Sequence, residues 1–176
     1  MSINFRKDHR TIKEFAKDIK YRTLKERFLI ELFAEELIKM GRNVIVENYG
    51  VDNTGKLLKK SNCKPDYKVN IDEKIYLCEV KNSPVKHKWT FKTYHLEQYI
   101  KYKAYIVLFW GTGFIDKDPK KIDKENTRWG IIFPDKIQQM LDFYEPFKFK
   151  AFGNRLCIQI PKEHFELYID KIRKLT

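Results

Sequence analysis

The sequence is poor in cysteine and has no long hydrophobic run. Its 176 residues contain only three cysteines, Cys63, Cys78 and Cys157, which stand far apart. Such spacing favours a reducing compartment and predicts no disulfide framework. The longest unbroken apolar stretch, residues 104–110, is far shorter than the roughly 20 residues of a membrane-spanning helix, and the charged N-terminus is unlike a signal peptide. We therefore expect a cytoplasmic protein without a membrane partner.

Glycine and proline are also scarce, and acidic residues are fewer than basic ones. Seven glycines and six prolines, with 43% hydrophobic and 15% aromatic residues, are typical of a globular domain and exclude a low-complexity chain. The 24 acidic residues are outnumbered by 36 lysines and arginines, which gives a formal net charge of +12. A positive charge of this size favours a polyanionic partner, most often nucleic acid, without distinguishing DNA from RNA.

Residues 64–81, KPDYKVNIDEKIYLCEVK, are the stretch around which the chain is organised. Residues 67–71 and 74–80 are short runs rich in β-branched and aromatic side chains, which is typical of strands. The polar pair Asp72-Glu73 between them indicates a tight connection. The stretch is therefore predicted to form a β-hairpin.

Charged residues lie near the ends of both predicted strands. Asp66 precedes the first strand, and Glu79 and Lys81 lie near the end of the second. Strand alternation sends Glu79 and Lys81 to one face and Val80 to the other. Converging charges are costly unless they bind something. Two carboxylates suit Mg²⁺ or Mn²⁺, and an adjacent ammonium suits a phosphate or an attacking water.

These residues resemble the signature of the PD-(D/E)xK nuclease superfamily, a Pro-Asp followed by a strand-turn-strand and Glu-x-Lys. The matching positions are Pro65-Asp66 and Glu79-Val80-Lys81. The resemblance implies that Asp66 and Glu79, with the Val80 carbonyl, hold the divalent metal, and that Lys81 positions or activates water for phosphodiester hydrolysis. It also implies an α/β fold in which a central mixed β-sheet is flanked by helices, as in restriction endonucleases.

A predicted helix at residues 93–103 carries Gln98 and Tyr102 in a QxxxY pattern. His95, Gln98 and Tyr102 fall at i, i+3 and i+7 and so share one helix face. The RecB-like and phage-exonuclease branch of the superfamily has a QxxxY helix at this place. The resemblance implies that Gln98 fixes the geometry around metal and water and that Tyr102 contacts the nucleic-acid strand. His95 is a candidate phosphate or leaving-group partner.

Another helix is predicted over residues 23–40, ended by Gly41. Glu26 lies on its apolar stripe, where a carboxylate needs a partner or a metal, and the superfamily often has a first-helix glutamate that points at the metal. Two alternatives remain. Thr23 and Glu26 form a capping box that serves only the helix N-terminus, or Glu31 takes the position near the metal.

Residues 82–92, NSPVKHKWTFK, are basic and include two aromatic residues. Basic residues interleaved with aromatics suit nucleic acid, because amines bind phosphates and rings stack on bases. Trp89 and Phe91 are nonetheless expected in the core, where aromatic residues are more often found. The candidate phosphate contacts are the lysines Lys86, Lys88 and Lys92.

The whole chain, residues 1–176, is predicted to form a single domain. Its core is expected at about 23–110, with a C-terminal elaboration at 111–176. Helical spacing predicts a short amphipathic helix within residues 2–21. Residues 104–110 are continuously apolar and predict a central strand buried on both faces.

The C-terminal part predicts secondary structure but no chemical motif. Residues 147–152 and 156–160 alternate around Gly153-Asn154, which predicts a hairpin. Pro161 is expected to start a closing amphipathic helix. The residues that this helix is expected to bury are Phe165, Tyr168, Ile169 and Ile172.

The sequence thus favours a Mg²⁺- or Mn²⁺-dependent nuclease that acts on DNA as an exonuclease or as a flap or junction endonuclease. One alternative is a nucleic-acid-binding domain that keeps the fold without the chemistry, although every signature position carries a competent residue. The other is a partner-binding accessory protein whose hairpin charges form only surface ion pairs, although their joint spacing argues against it. A homo-oligomer is compatible with the sequence, which shows no diagnostic interface.

Overall fold

The computed structural model describes residues 12–50, 64–84, 89–114 and 118–175, which form two β-sheets and four helices. In chain order the elements are α1 (Ile12–Lys39), β1 (Val44–Asn48), β2 (Tyr67–Ile71), β3 (Lys74–Ser83), β4 (Trp89–Lys92), α2 (Thr93–Lys101), β5 (Tyr105–Trp110), β6 (Arg128–Ile132), α3 (Pro134–Phe143), β7 (Phe147–Phe149), β8 (Arg155–Ile160), α4 (Phe165–Tyr168) and β9 (Asp170–Lys174). Short 3₁₀ turns follow β7 and precede α4.

The central sheet has six strands in the order β1-β2-β3-β5-β6-β9. Neighbouring strands are antiparallel except β3 and β5, which run parallel. A parallel pair needs a crossover connection, which β4 and α2 supply here. β4 pairs with β8, and β8 with β7, in a separate three-stranded sheet. The predicted α/β class, a mixed central sheet flanked by helices, is confirmed.

The predicted hairpin of β2 and β3 is confirmed, with its turn at Asp72 and Glu73. Both turn residues have positive φ, 48° and 68°, which matches the twist of the flanking strands in a two-residue loop. Asp72 Oδ1 accepts a hydrogen bond from the Asn43 backbone N–H at 2.9 Å, and its Oδ2 lies 2.6 Å from Arg42 Nε. These contacts fasten the turn to the segment before β1.

One long helix, α1, corrects two predictions. Residues 12–21, predicted as part of a separate helix, are continuous with the rest of α1, and residues 2–11 lie outside the described chain. The capping-box pattern at Thr23 and Glu26 suggested that a helix begins there, but lysine and arginine are good helix formers and continue the helix. Thr23 is not an N-cap, because it lies within α1 and its hydroxyl donates a hydrogen bond to the Ile19 carbonyl at 3.1 Å. The capping-box alternative for Glu26 is therefore wrong.

Two apolar layers cover the faces of the central sheet. On one face α1 packs in a core that contains Leu29, Ile30, Leu32, Phe33, Tyr67, Val69, Cys78, Val80, Val107, Phe109, Trp129 and Leu175. On the other face α2, α3 and the small sheet share a core that contains Leu96, Tyr99, Ile106, Leu108, Trp110, Ile132, Ile137, Met140, Ile158, Ile160 and Phe165. Trp89 and Phe91 belong to this second core and are 6% and 5% exposed, so the prediction that they are core residues is confirmed.

The C-terminal hairpin is confirmed, but the closing helix is not. β7 and β8 are antiparallel, and the turn between them contains Gly153 and Asn154 with positive φ. After Pro161 the chain forms only the short α4 and then β9, which pairs with the edge of β6. Ile172 is 41% exposed on this strand, contrary to the prediction. A short amphipathic pattern fits helix and strand alike, and the unpaired backbone of β6 selects the strand.

Among the described residues, no helix is long and apolar enough to cross a membrane. Cys78 and Cys157 are free thiols buried in the core, and burial raises the pKa of Cys78 to about 12. Such thiols act as packing residues rather than nucleophiles. Cys63 lies outside the described chain.

Candidate metal and catalytic site

Asp66 and Glu79 lie side by side on the β2–β3 hairpin. Because Tyr67 pairs with Cys78, Asp66 immediately before β2 falls opposite Glu79. Asp66 Oδ2 accepts a hydrogen bond from the Val80 backbone N–H at 3.3 Å. Glu79 is only 5% exposed, although a carboxylate is rarely buried without a partner. The hairpin therefore brings the two predicted acidic residues together.

Lys81 supplies the nearest positive charge. Its Nζ forms an ion pair with Glu79 Oε1 and lies 3.4 Å from the Val80 carbonyl oxygen. The Lys81 side chain is 34% exposed, and it contacts a carboxylate whose side chain is almost fully buried. Val80 points the other way, into the core beneath α1, as the strand alternation predicts.

The site carries more negative charge than Lys81 balances. Burial raises the pKa of Asp66 well above its ordinary value, and the Glu79 charge raises it further, while Lys81 acts in the opposite direction. Burial opposes the charge of Lys81, but the surrounding Glu79, Tyr99, Asp66 and Glu26 outweigh it and raise the pKa of this lysine. A buried excess of carboxyl groups attracts a cation.

Glu26 is the α1 residue that approaches this site. Burial raises its pKa to about 7, with Lys81 lowering it and Glu79 raising it. Glu26 and Lys81 line the same groove. Glu31 instead lies on the solvent side of α1, 53% exposed, and its Oε1 is 3.2 Å from Arg27 Nε. Of the two candidates, only Glu26 faces the carboxylates of the hairpin.

The donor set matches Mg²⁺ or Mn²⁺ when solvent and substrate complete it. Within the described residues, no group of three or more His, Cys, Asp and Glu side chains is close enough to hold a metal. The chain thus offers two carboxylates, Asp66 and Glu79, and the Val80 carbonyl, with Glu26 beside them. Magnesium usually keeps several waters and binds through one or two carboxylates and phosphate oxygens. A divalent cation would also counteract the burial and the Glu79 charge that raise the pKa of Asp66.

The α2 residue that touches the acidic pair is Tyr99, which the sequence analysis did not single out. Tyr99 is 1% exposed and its hydroxyl donates a hydrogen bond to Glu79. Burial and the nearby Glu79 raise the pKa of Tyr99, so the hydroxyl keeps its proton. Gln98 is partly exposed, and among the described residues no hydrogen bond joins it to Asp66, Glu79 or Lys81.

His95 connects Tyr99 to the surface. His95 Nδ1 lies 3.2 Å from the Tyr99 hydroxyl, His95 Nε2 lies 2.7 Å from the Tyr94 hydroxyl, and Arg155 Nη1 donates to Tyr94 at 2.7 Å. Because Tyr99 donates to Glu79, its oxygen accepts from His95 Nδ1–H, and Nε2 accepts from Tyr94. The bonds therefore run in one direction, from Arg155 through Tyr94, His95 and Tyr99 to Glu79.

The charge state of His95 fits this chain of hydrogen bonds. Burial, with the positive charges of Lys81 and Lys92, lowers the pKa of His95 to about 4. The imidazole is neutral near pH 7 and so has the one donor and one acceptor that the two tyrosines require. His95 thus contacts Tyr99 and Tyr94, and both of its ring nitrogens are already engaged.

The other predicted nucleic-acid contacts are dispersed. Tyr102 caps the C-terminal end of α2 and lines a groove with Lys68 and Tyr76, apart from the groove that contains Lys81. Lys92 ends β4, and its Nζ lies 5.2 Å from the Phe152 ring centre. The predictions for Lys86 and Lys88 lie outside the described residues.

Comparison with known proteins does not assign this chain to a family. No protein-family model matches this chain, and no curated protein is significantly similar to it in sequence. The interpretation of the site therefore depends on the contacts and charges described above.

Proposed function

We propose that this protein is a Mg²⁺- or Mn²⁺-dependent nuclease that hydrolyses phosphodiester bonds of DNA. The observation that carries the proposal is the convergence of buried Glu79 and partly buried Asp66 with the Lys81 ammonium at the edge of a groove. The mixed sheet flanked by helices, which the resemblance to PD-(D/E)xK nucleases implies, also supports it. The net charge of +12 supports a nucleic-acid substrate.

Each residue of the site has a role in this reaction. Asp66, Glu79 and the Val80 carbonyl would hold the metal, which when bound polarises the phosphate and lowers the pKa of a bound water. Lys81 orients the attacking water and stabilises the negative charge that develops on the phosphoryl oxygens. Tyr99 holds Glu79 in place from the α2 side. Glu26 stands beside the groove, where it is available to a water ligand.

The proposed setting follows from the same features. A basic nuclease whose described residues include two free, buried thiols suits the cytoplasm, where thiols stay reduced. DNA is the proposed partner. Exonuclease, flap and junction activities remain open, as does self-association into a homo-oligomer.

A cleavage panel tests the proposal. Labelled linear duplex, single strand, flap, four-way junction, supercoiled circle and RNA are incubated with Mg²⁺, Mn²⁺ or EDTA, using the wild type, Asp66→Ala and Lys81→Ala. We expect metal-dependent cleavage of DNA that both substitutions abolish. Salt-dependent binding without cleavage of any substrate would contradict the nuclease and leave a binding domain.

A further inference from the structure

A groove of about 550 Å³ opens beside Lys81 and continues toward the C-terminal hairpin. Arg22, Lys25 and Glu26 of α1 line one side of it. Phe149, the last residue of β7, and Phe152, in the short 3₁₀ turn before β8, line another part. The groove therefore connects the proposed catalytic residues to an aromatic surface on a separate sheet.

The two phenylalanines are placed as an accessible pair. Their ring centres lie 5.0 Å apart in an edge-to-face arrangement, and both side chains are partly exposed. Trp89 and Phe91, which also line the groove, are buried beneath and cannot offer a full ring face. Partly exposed phenylalanines in a polar turn leave apolar surface that a planar ligand can cover.

Positive charge surrounds this aromatic pair. Lys92 Nζ lies 5.2 Å from the Phe152 ring centre, and Lys148 and Lys150 are exposed on either side of Phe149. Aromatic rings bordered by amines match a strand of nucleic acid, because bases stack on the rings while phosphates contact the amines. A continuous duplex keeps its base faces stacked internally and has no free face to offer.

We propose that Phe149 and Phe152 stack on unpaired bases of the strand whose phosphodiester reaches Asp66, Glu79 and Lys81. This inference rests on the nuclease function proposed above and names its substrate class. The substrate is DNA with a single-stranded end, flap or splayed junction, rather than continuous duplex.

Binding in EDTA tests the stacking without interference from cleavage. The probes are a single-stranded oligonucleotide carrying 2-aminopurine, the same strand with abasic sites, and a blunt duplex. Phe149→Leu/Phe152→Leu keeps the apolar packing of the turn but removes both rings, and Phe149→Ala/Phe152→Ala removes the packing as well. Phe143→Ala is the matched control, since Phe143 is 65% exposed on α3 and does not line the groove. Thermal melts establish that each variant is folded.

We expect both double variants to bind the single strand about tenfold or more weakly, because a base that loses its stacking partner loses roughly that factor or more in affinity. The wild type should bind the abasic strand about tenfold or more weakly than the normal strand. On the abasic strand, the leucine variant should bind nearly as tightly as the wild type. Duplex binding and the Phe143→Ala control should change less than about twofold. The stacking proposal would be overturned if the leucine variant bound the single strand as tightly as the wild type. It would also be overturned if the leucine substitutions weakened binding to the abasic and normal strands by the same factor.

A parallel cleavage assay in Mg²⁺ separates this inference from the nuclease itself. Metal-dependent cleavage with normal binding by the double variants leaves the nuclease standing and overturns the stacking. Ring-dependent binding by a wild type that cuts nothing supports the stacking site and contradicts the nuclease.

Discussion

At the residue scale, Glu79 is the side chain on which the site converges. Lys81 pairs with it from the same strand, and Tyr99 donates to it from α2. A carboxylate held from two sides has few accessible rotamers and presents fixed oxygens to a metal. In the proposed nuclease, Tyr99 is therefore a positioning residue that acts through Glu79.

Tyr99→Phe is expected to lower kcat for cleavage by about tenfold or more while KM for DNA stays nearly constant, because a hydrogen bond to a charged group is worth roughly 1.5–3 kcal/mol. Steady-state kinetics over a range of Mg²⁺ concentrations measure this, and the variant should need more metal for half-maximal rate. Tyr76→Phe, a half-buried tyrosine that contacts Tyr105, is the control and should cleave normally. Equal effects in the two variants would remove the special role of Tyr99.

Glu26 is expected to make stability depend on pH when metal is absent. Its pKa is raised from an ordinary 4.5 to about 7, so the folded state favours the protonated carboxyl. That contribution is fully present below about pH 4.5 and is lost as pH rises toward 7. In EDTA, Glu26→Gln should therefore unfold at the same temperature as the wild type at low pH. At pH 8 it should be more stable by about 3 kcal/mol, because a pKa difference of one between the folded and unfolded states is worth roughly 1.4 kcal/mol.

Thermal melts in EDTA from pH 4.5 to 8 measure this difference. Glu31→Gln is the matched control, since Glu31 is an exposed residue of the same helix. Its melting curve should follow the wild type apart from a small change from the lost Arg27 pair. If Glu26→Gln were less stable than the wild type at pH 8, the ionised Glu26 carboxylate would not be destabilised by burial, and this account of Glu26 would be contradicted.

Sequence patterns predict some residues of this site and miss others. Asp66, Glu79 and Lys81 could be placed together because a two-residue turn fixes the hairpin register and alternation fixes the face. Tyr99 was missed because helical spacing groups His95, Gln98 and Tyr102 on one face without saying how α2 is rotated against the sheet. The i, i+4 spacing of His95 and Tyr99 was the signal available for that pair.

At the element scale, the β2–β3 turn is a place where local sequence and backbone disagree. Asp72 and Glu73 both have positive φ, which non-glycine residues seldom adopt. The contacts of Asp72 with Asn43 and Arg42 offset the cost of its positive φ. Glu73 is exposed, and its side chain makes no hydrogen bond or ion pair among the described residues.

Glu73→Gly is therefore expected to raise the free energy of unfolding by about 1 kcal/mol, because glycine adopts a left-handed conformation without strain. Chemical denaturation of the wild type and the variant measures this. Lys74→Gly is the matched control one position later, in the extended β3, where glycine should lower stability by a similar amount. A loss of stability in both variants would show that the turn is not strained at Glu73.

The elements that sequence patterns misjudged have two physical causes. The beginning of α1 depends on the helix propensity of its polar residues rather than on apolar periodicity. The conversion of the C-terminal segment into β9 depends on pairing with β6. β9 supplies backbone partners for an edge strand, a requirement that no window of sequence displays. Long periodic elements such as β5 were predictable because burial on both faces requires a continuous apolar run.

At the scale of the whole molecule, the net charge of +12 should make DNA binding steeply dependent on salt. Arg22 and Lys25 line the groove, so Arg22→Gln/Lys25→Gln should reduce the slope of log affinity against log salt by about 1.5. Fluorescence anisotropy in EDTA at several salt concentrations measures the slope. Lys136→Gln/Lys162→Gln removes the same charge outside the groove and should leave the slope nearly unchanged. Equal slopes in both double variants would mean that the groove does not bind the strand.

Cleavage and binding by Asp66→Asn test most directly whether the Asp66, Glu79 and Lys81 centre hydrolyses phosphodiester bonds. Asparagine keeps the shape and can still accept from the Val80 N–H, but it removes the charge that a metal needs. With Mg²⁺, cleavage of the best substrate should fall by about 1,000-fold or more, since metal stabilisation is worth several kcal/mol. Affinity for the same DNA in EDTA should be unchanged or slightly tighter. Asp72→Asn in the exposed turn is the control, and an Asp66→Asn variant that cleaves as fast as this control would contradict the assignment of the site.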